Sequence, residues 1–169
     1  MDYRRYISTV TFAGDSVLKE WRWLVGPRLQ LWLVTKAGDA LLRDPEDGSV
    51  HFLNTISATI ERVAESDAEF ELFVAEEDNA REWLLTPLVD ELALRGTSPG
   101  TDQCFHFKIP PVLGGVARPE NMVVIGLTDR FGGMGQVMRQ INDLPEGTQV
   151  VIRPNSQDEA TKRPWWKFW

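Results

Sequence analysis

Few residues of this 169-residue chain have the types and spacing that metal binding needs. The chain has two histidines, His51 and His106, and a single cysteine, Cys104. These residues form neither a C-x-x-C nor an H-E-x-x-H pattern, so no metal site is predicted. We interpret both histidines as ordinary residues of β-strands, surface or half-buried.

Cys104 and His106 are the candidate pair for nucleophilic catalysis, because residues two apart share one face of a strand. Such close neighbours rarely build a nucleophile and base with a third, orienting group, and a cysteine is more often a small buried hydrophobe. The glycine-rich segments 114–115 and 132–135 match neither the P-loop nor the dinucleotide-binding pattern. We therefore predict that the protein is not an enzyme and carries no cofactor.

Charge is the most distinctive property of the composition. The formal net charge is −7, and eleven acids minus two arginines give −9 for residues 61–91 alone. An acidic protein repels phosphate backbones, so direct nucleic-acid binding is not expected. An acidic segment is often only a solvent-exposed face that keeps the protein soluble. Charge of this density can in addition attract a basic partner protein. We predict a contact with a partner protein through Glu61, Glu65, Glu69, Glu76, Glu77 and Asp78.

The composition changes again after Pro154, where a polar linker leads to a tail rich in tryptophan. Tryptophan beside Lys and Arg suits a bilayer interface, although the tail is short for an anchor. An exposed aromatic tail would promote aggregation, so docking on the same fold or in a homo-oligomer is favoured over membrane contact. The residues predicted to dock are Trp165, Trp166, Phe168 and Trp169.

Alternating apolar residues and Gly/Pro turns predict several short strands, the first three joined as an antiparallel meander. The predicted strands are residues 29–35, 40–43, 49–53, 59–63, 104–109, 121–127 and 148–152. Strands and helices are grouped rather than alternating, which is typical of an α+β fold. We predict a single domain at residues 1–153, with an antiparallel sheet covered by two or three helices, followed by the linker and tail at 154–169.

Apolar residues at three- and four-residue spacing predict the helices. Ser66 and Glu69 have the spacing of a capping box at a helix start, and Gly96 is a plausible helix end. Pro87 lies inside the next helical stretch, where it either starts a new helix after Thr86 or kinks the existing one. The predicted helices are residues 15–23, a segment from 66 to about 74, 79–95 and 128–141.

The compartment is predicted from what the sequence lacks. No apolar run reaches the ~18–20 residues of a membrane span, and no apolar segment typical of a signal peptide follows the first residues. A single cysteine fits a reducing cytosol. These observations predict a cytoplasmic protein.

Four blocks of the chain resemble, in order, the C-terminal domain of type VI secretion immunity proteins, a family long catalogued as a domain of unknown function. The most specific block is residues 103–115, which includes Lys-Ile-Pro-Pro-Val-Leu-Gly-Gly at 108–115. The other blocks are residues 38–55, 119–124 and 135–148. The resemblance spans about residues 21–152. It departs from the family at Phe105-His106, where Tyr-Gly is usual, and at Met138, where His is common.

The resemblance implies a function. Family members with known roles bind a co-encoded toxin, a DNase in the best-described case, and block it inside the producing cell. We therefore expect a cytoplasmic immunity protein that neutralises a cognate toxin, such as a nuclease, by protein–protein contact. The alternative is a small scaffold whose Trp-rich tail docks to a membrane surface or to another subunit.

Overall fold

The computed structural model describes residues 2–142, 144, 145 and 148. Two antiparallel sheets and six α-helices make up this part of the chain. The strands are β1 (Gln30–Val34), β2 (Ala40–Arg43), β3 (Val50–Asn54), β4 (Thr59–Ala64), β5 (Gln103–Phe107) and β6 (Met122–Gly126). The helices are α1 (Gly14–Leu18), α2 (Arg22–Val25), α3 (Asp67–Ala75), α4 (Glu77–Leu84), α5 (Thr86–Leu94) and α6 (Leu127–Ile141). The α+β prediction is confirmed, although the strands form two sheets where one was predicted.

The predictions for the C-terminal part fall largely outside this range. Apart from Thr148, the strand predicted at 148–152 lies outside the described residues. The linker and tail at 154–169 lie outside it as well, and with them Trp165, Trp166, Phe168 and Trp169. Tail docking therefore stays a prediction.

Strands β1 to β4 form a meander in chain order, each antiparallel to the next. Side chains alternate along a strand, so neighbouring residues enter opposite faces of the sheet. Leu41 packs with Phe70 of α3 in one hydrophobic cluster, whereas Leu42 packs with Trp21 and Phe131 in the other. The indole N–H of Trp21 also donates to the carbonyl of Phe131 at 2.9 Å. Helices therefore cover both faces of the four-stranded sheet.

The β5–β6 hairpin is attached to the turn that joins β1 to β2. The N–H of Phe105 donates to the carbonyl of Lys36 at 2.7 Å. Phe105 faces the cluster that contains Leu41, and Cys104 faces the cluster that contains Leu42. The hairpin therefore extends both hydrophobic clusters. The face of β5 that carries Cys104 packs against α6.

The helix predicted at 79–95 is two helices. Leu85 takes a left-handed conformation, with φ of +48°, and separates α4 from α5. Pro87 therefore sits in the first turn of a new helix, where its missing N–H costs nothing. Thr86 is the first residue of α5 rather than its N-cap. Gly96, with φ of +79°, ends α5 as predicted.

The capping box at the start of α3 differs from the predicted one in a single hydrogen bond. The Ser66 hydroxyl accepts from the N–H of Glu69, as predicted. The Glu69 carboxylate, however, accepts from the N–H of Glu65 at 2.6 Å, one residue before the cap. Both bonds satisfy amide groups around the helix start, where an acidic side chain also complements the helix dipole.

The glycines of α6 have different roles. A Cβ on Gly135 would lie 2.8 Å from the carbonyl oxygen of Glu20, so glycine is needed there for close packing. A Cβ on Gly132 would meet nothing within 4 Å. Glycine therefore weakens the helix at Gly132, where alanine would fit, but is required by the packing at Gly135.

We predict that Gly132→Ala stabilises the protein by about 1 kcal/mol, because alanine has the higher helix propensity and the site is open. Gly135→Ala should instead destabilise it, because the new methyl group clashes with the backbone of Glu20. Chemical denaturation of both variants measures the difference. Equal effects of the same sign would contradict the close packing of α6 on this segment.

Candidate functional site

A buried charged network lies where α6 meets the four-stranded sheet. Arg130 of α6 is 1% exposed, and Asp39, directly before β2, is 3% exposed. Thr55 bridges them, because its hydroxyl contacts Arg130 Nη2 at 2.8 Å and Asp39 Oδ1 at 2.8 Å. The N–H of Thr55 donates to the same carboxylate oxygen at 2.7 Å. The network therefore joins segments that are 75 residues apart in the chain.

Burial dominates the electrostatics of this network. It raises the pKa of Asp39 and lowers the pKa of Arg130, while the attraction between the two charges opposes both shifts. Gly38, with φ of +92°, lets the guanidinium pack closely, since a Cβ there would lie 2.9 Å from Arg130 Nε. The Nε and Nη1 atoms of Arg130 have no hydrogen-bond partner among the described residues.

Cys104 and His106 lie on the β5 face that meets α6, close to this arginine. Burial raises the pKa of the Cys104 thiol to about 12. Burial, with a contribution from Arg130, lowers the pKa of His106 to about 3. A thiolate–imidazolium pair needs a lowered pKa at the cysteine and a raised pKa at the histidine, because the thiol must lose a proton that the imidazole takes up.

A cavity of about 640 Å³ opens between the β5–β6 hairpin and α6. Its walls are mostly aliphatic, and its polar lining includes Arg130, His106, Lys108 and Asp129. Arg130 and His106 are buried, whereas Lys108 and Asp129 are exposed. The lining aliphatic residues are Ile109, Leu113, Val123, Val124, Ile125, Met134 and Val137.

The most distinctive sequence block forms the rim of this cavity. Pro111–Leu113 is a single 3-10 turn, and Gly114 follows it with φ of +89°. A Cβ on Gly115 would lie 1.7 Å from the carbonyl oxygen of Ile109, so no other residue fits without moving the backbone. The side chain of Asn121 bonds the backbone N–H and C=O of Ile109 and the C=O of Val116, each at 2.9 Å. The Pro-Pro and Gly-Gly pairs therefore specify a compact loop.

The six acidic residues predicted to bind a partner are all exposed. They lie on β4, on the connection to α3, on α3 itself and at the start of α4, elements that pack against one another. Arg62 pairs with Glu65, and Arg81 pairs with Glu77 at 3.3 Å. Glu61, Glu76 and Asp78 have no ion pair among the described residues. We name this surface, residues 61–78, the acidic face.

The acidic face also has an apolar residue that the sequence pattern did not single out. Leu72 of α3 is 74% exposed. Glu69, three residues before it in α3, shares its side of the helix, and Glu76 lies at the C-cap of the same helix. A large exposed aliphatic side chain among charges is the arrangement of an interface anchor surrounded by a polar rim.

Neither a membrane-spanning helix nor a metal-binding cluster occurs among the described residues. No helix there is long and apolar enough to cross a membrane. No group of three or more His, Cys, Asp or Glu side chains in that same part is placed to hold a metal ion.

The fold and these surfaces define a small α+β protein with an acidic face and a cavity behind its distinctive loop. Residues 64–129 match the model of a protein family, "T6SS immunity protein Tdi1, C-terminal". This match confirms the resemblance predicted from the sequence. It spans α3 to the start of α6 and is shorter than the predicted range of 21–152.

Among solved structures, the chain is similar to the "Crystal structure of Atu4351 from Agrobacterium tumefaciens". The TM-score is 0.52 at 17% sequence identity, and the match covers 73% of this chain and 64% of that one. At this identity the similarity concerns the fold. Because the match covers 64% of the Atu4351 chain, this protein spans less than two thirds of the length of Atu4351. No curated protein sequence matches significantly.

We predict a pH dependence of stability from His106. Its pKa is 6.5 when unperturbed and about 3 in the folded protein, so only the unfolded chain is protonated between these values. Stability should be full above pH 6.5 and fall toward pH 3. At pH 5 the loss from this residue is about 2 kcal/mol, from ~1.4 kcal/mol per pH unit. Denaturation at pH 7.5 and pH 5 should show a smaller loss in His106→Gln; equal losses would contradict the burial of the imidazole.

A double-mutant cycle tests the bridged pair of Asp39 and Arg130. Arg130→Met leaves a buried carboxylate without its cation and should cost about 3–5 kcal/mol. Asp39→Asn removes that charge but keeps an oxygen for Thr55. The double variant should therefore lose at least about 1 kcal/mol less free energy of unfolding than the two single variants lose together. Additive free energies of unfolding would show that the two charges do not interact.

Proposed function

We propose that this protein is an immunity protein of a type VI secretion system, which binds a cognate toxin in the cytoplasm and blocks it. The observation that carries the proposal is the family match over residues 64–129. Inhibition by contact needs a recognition surface and no catalytic residues of its own. The shifted pKa values of Cys104 and His106, which oppose thiolate chemistry, agree with a role of this kind.

We further propose that the acidic face contacts the toxin. Most of this face, including the start of α4, lies within the segment that matches the family. Glu61, Glu76 and Asp78, which form no ion pair with any described residue, attract a cationic surface and raise the association rate. Leu72 supplies an apolar anchor inside the charged rim. A toxin that grips DNA presents such a cationic surface, so a nuclease is the class of toxin that fits best.

The proposal is tested by capture from the producing organism. Full-length tagged protein is used as bait, and bound proteins are identified by mass spectrometry. The proposal expects a toxin of the secretion system whose killing activity disappears when the bait protein is co-expressed. Recovery of the bait alone, or of membrane components, would contradict it and would favour the tail-driven scaffold.

Charge reversal on the acidic face should weaken toxin binding. We predict that the triple variant Glu61→Lys, Glu76→Lys and Asp78→Lys binds the captured toxin at least about tenfold more weakly, with a smaller salt dependence. The control reverses Asp15, Glu46 and Glu120, which are exposed, lie outside the acidic face and give the same change in net charge. Each of them forms a surface ion pair with an arginine, and the loss of such a pair costs little stability. Calorimetric titration at two salt concentrations measures both effects.

The control variant should bind like the unmodified protein. Circular dichroism of both triple variants shows whether the fold is retained. Equal affinity of the two triple variants would assign the contact to another surface while leaving the immunity function standing.

A further inference from the structure

The cavity between the β5–β6 hairpin and α6 has no part in the proposed toxin contact. Its volume of about 640 Å³ lies within the range of small-molecule sites, roughly 300–1,000 Å³. Such sites combine mostly apolar walls with a few placed polar groups. The walls here are aliphatic, with Val123 and Ile125 from β6 facing Met134 and Val137 of α6.

The charges that line the cavity are unevenly buried. Lys108 and Asp129 are exposed and have opposite signs. Arg130, which also lines the cavity, is buried and only 1% exposed. Burial keeps His106 uncharged at neutral pH, since its pKa lies at about 3. The inner part of the described lining therefore carries one formal positive charge, while Asp39, which opposes that charge through Thr55, is not among the lining residues.

The arginine has hydrogen-bonding capacity that the described residues do not use. Nη2 donates to Thr55, whereas Nε and Nη1 find no partner among these residues. A buried donor without an acceptor is unfavourable, and a guanidinium can only donate. Its strongest partner is an anionic oxygen, above all a carboxylate.

We propose that this cavity binds a small organic anion, a carboxylate with an aliphatic body. The carboxylate lies beside Arg130 and accepts hydrogen bonds from it after a small movement of the guanidinium, whose Nε and Nη1 atoms are buried in this structure. The aliphatic body lies against Val123, Ile125, Met134 and Val137. The assignment does not depend on the proposed immunity function. A metal cation is disfavoured because the buried arginine would repel it.

Calorimetric titration of the full-length protein tests the ligand class with three probes of equal chain length: octanoate, octanol and octylammonium. Octanoate should bind at least about tenfold more tightly than octanol, since a charge-assisted bond is gained. Octylammonium should not bind. Equal binding of octanoate and octanol, or no binding of octanoate, would overturn the proposal; the second result would leave water as the partner of Arg130.

A pair of glycine variants tests the location. Gly133 lines the cavity and Gly132 does not, and a Cβ at either would meet nothing within 4 Å. Gly133→Leu should obstruct part of the cavity and weaken octanoate binding, whereas Gly132→Leu should leave the affinity unchanged. The same affinity in both variants would place the octanoate elsewhere.

Replacing Arg130 tests the role of its charge. Arg130→Met should remove the preference for octanoate over octanol while leaving the aliphatic walls in place. Should this variant fail to fold, the Gly133→Leu and Gly132→Leu pair still decides the location. A retained preference in folded Arg130→Met would overturn the role assigned to the arginine.

Discussion

The position of α6 depends on one buried cation. Arg130 enters the interior of the fold, and its charge is compensated by the Asp39 carboxylate, directly before β2, and by the Thr55 hydroxyl, directly after β3. Burying an ion is costly, so such a network persists only where the surrounding backbone holds each partner in place. Gly38 permits the approach, and the β5–β6 hairpin packs beside it through Phe105. The cavity lies between this helix and the hairpin, with Arg130 in its lining.

The sequence predicted much of the local structure, because local rules govern it. Strand β2 was predicted with its observed bounds, and the helix start at Ser66 and the helix end at Gly96 follow from hydrogen bonds and backbone freedom within a few residues. The division of the strands into two sheets was not predicted. It depends on where the β5–β6 hairpin docks, and the hydrogen bond that attaches the hairpin joins Phe105 to Lys36, residues far apart in the chain.

The buried network could not be predicted for the same reason. Asp39, Thr55 and Arg130 are unremarkable polar residues in the sequence, and their contact arises only from the tertiary fold. One signal was present: Arg130 lies at helical spacing between Leu127 and Met134 on the buried stripe of α6. A charged residue on an apolar stripe predicts either a buried partner or a ligand. The acidic face, in contrast, was visible in the composition, although the exposed Leu72 within it was not.

The proposed function is inhibition of a toxin by stoichiometric binding. Its decisive test is a titration of the purified toxin with the purified full-length protein, in which the toxin's own activity is measured. Toxin activity should fall in proportion to the added protein and vanish near equimolar amounts. Full toxin activity in the presence of excess protein would contradict it.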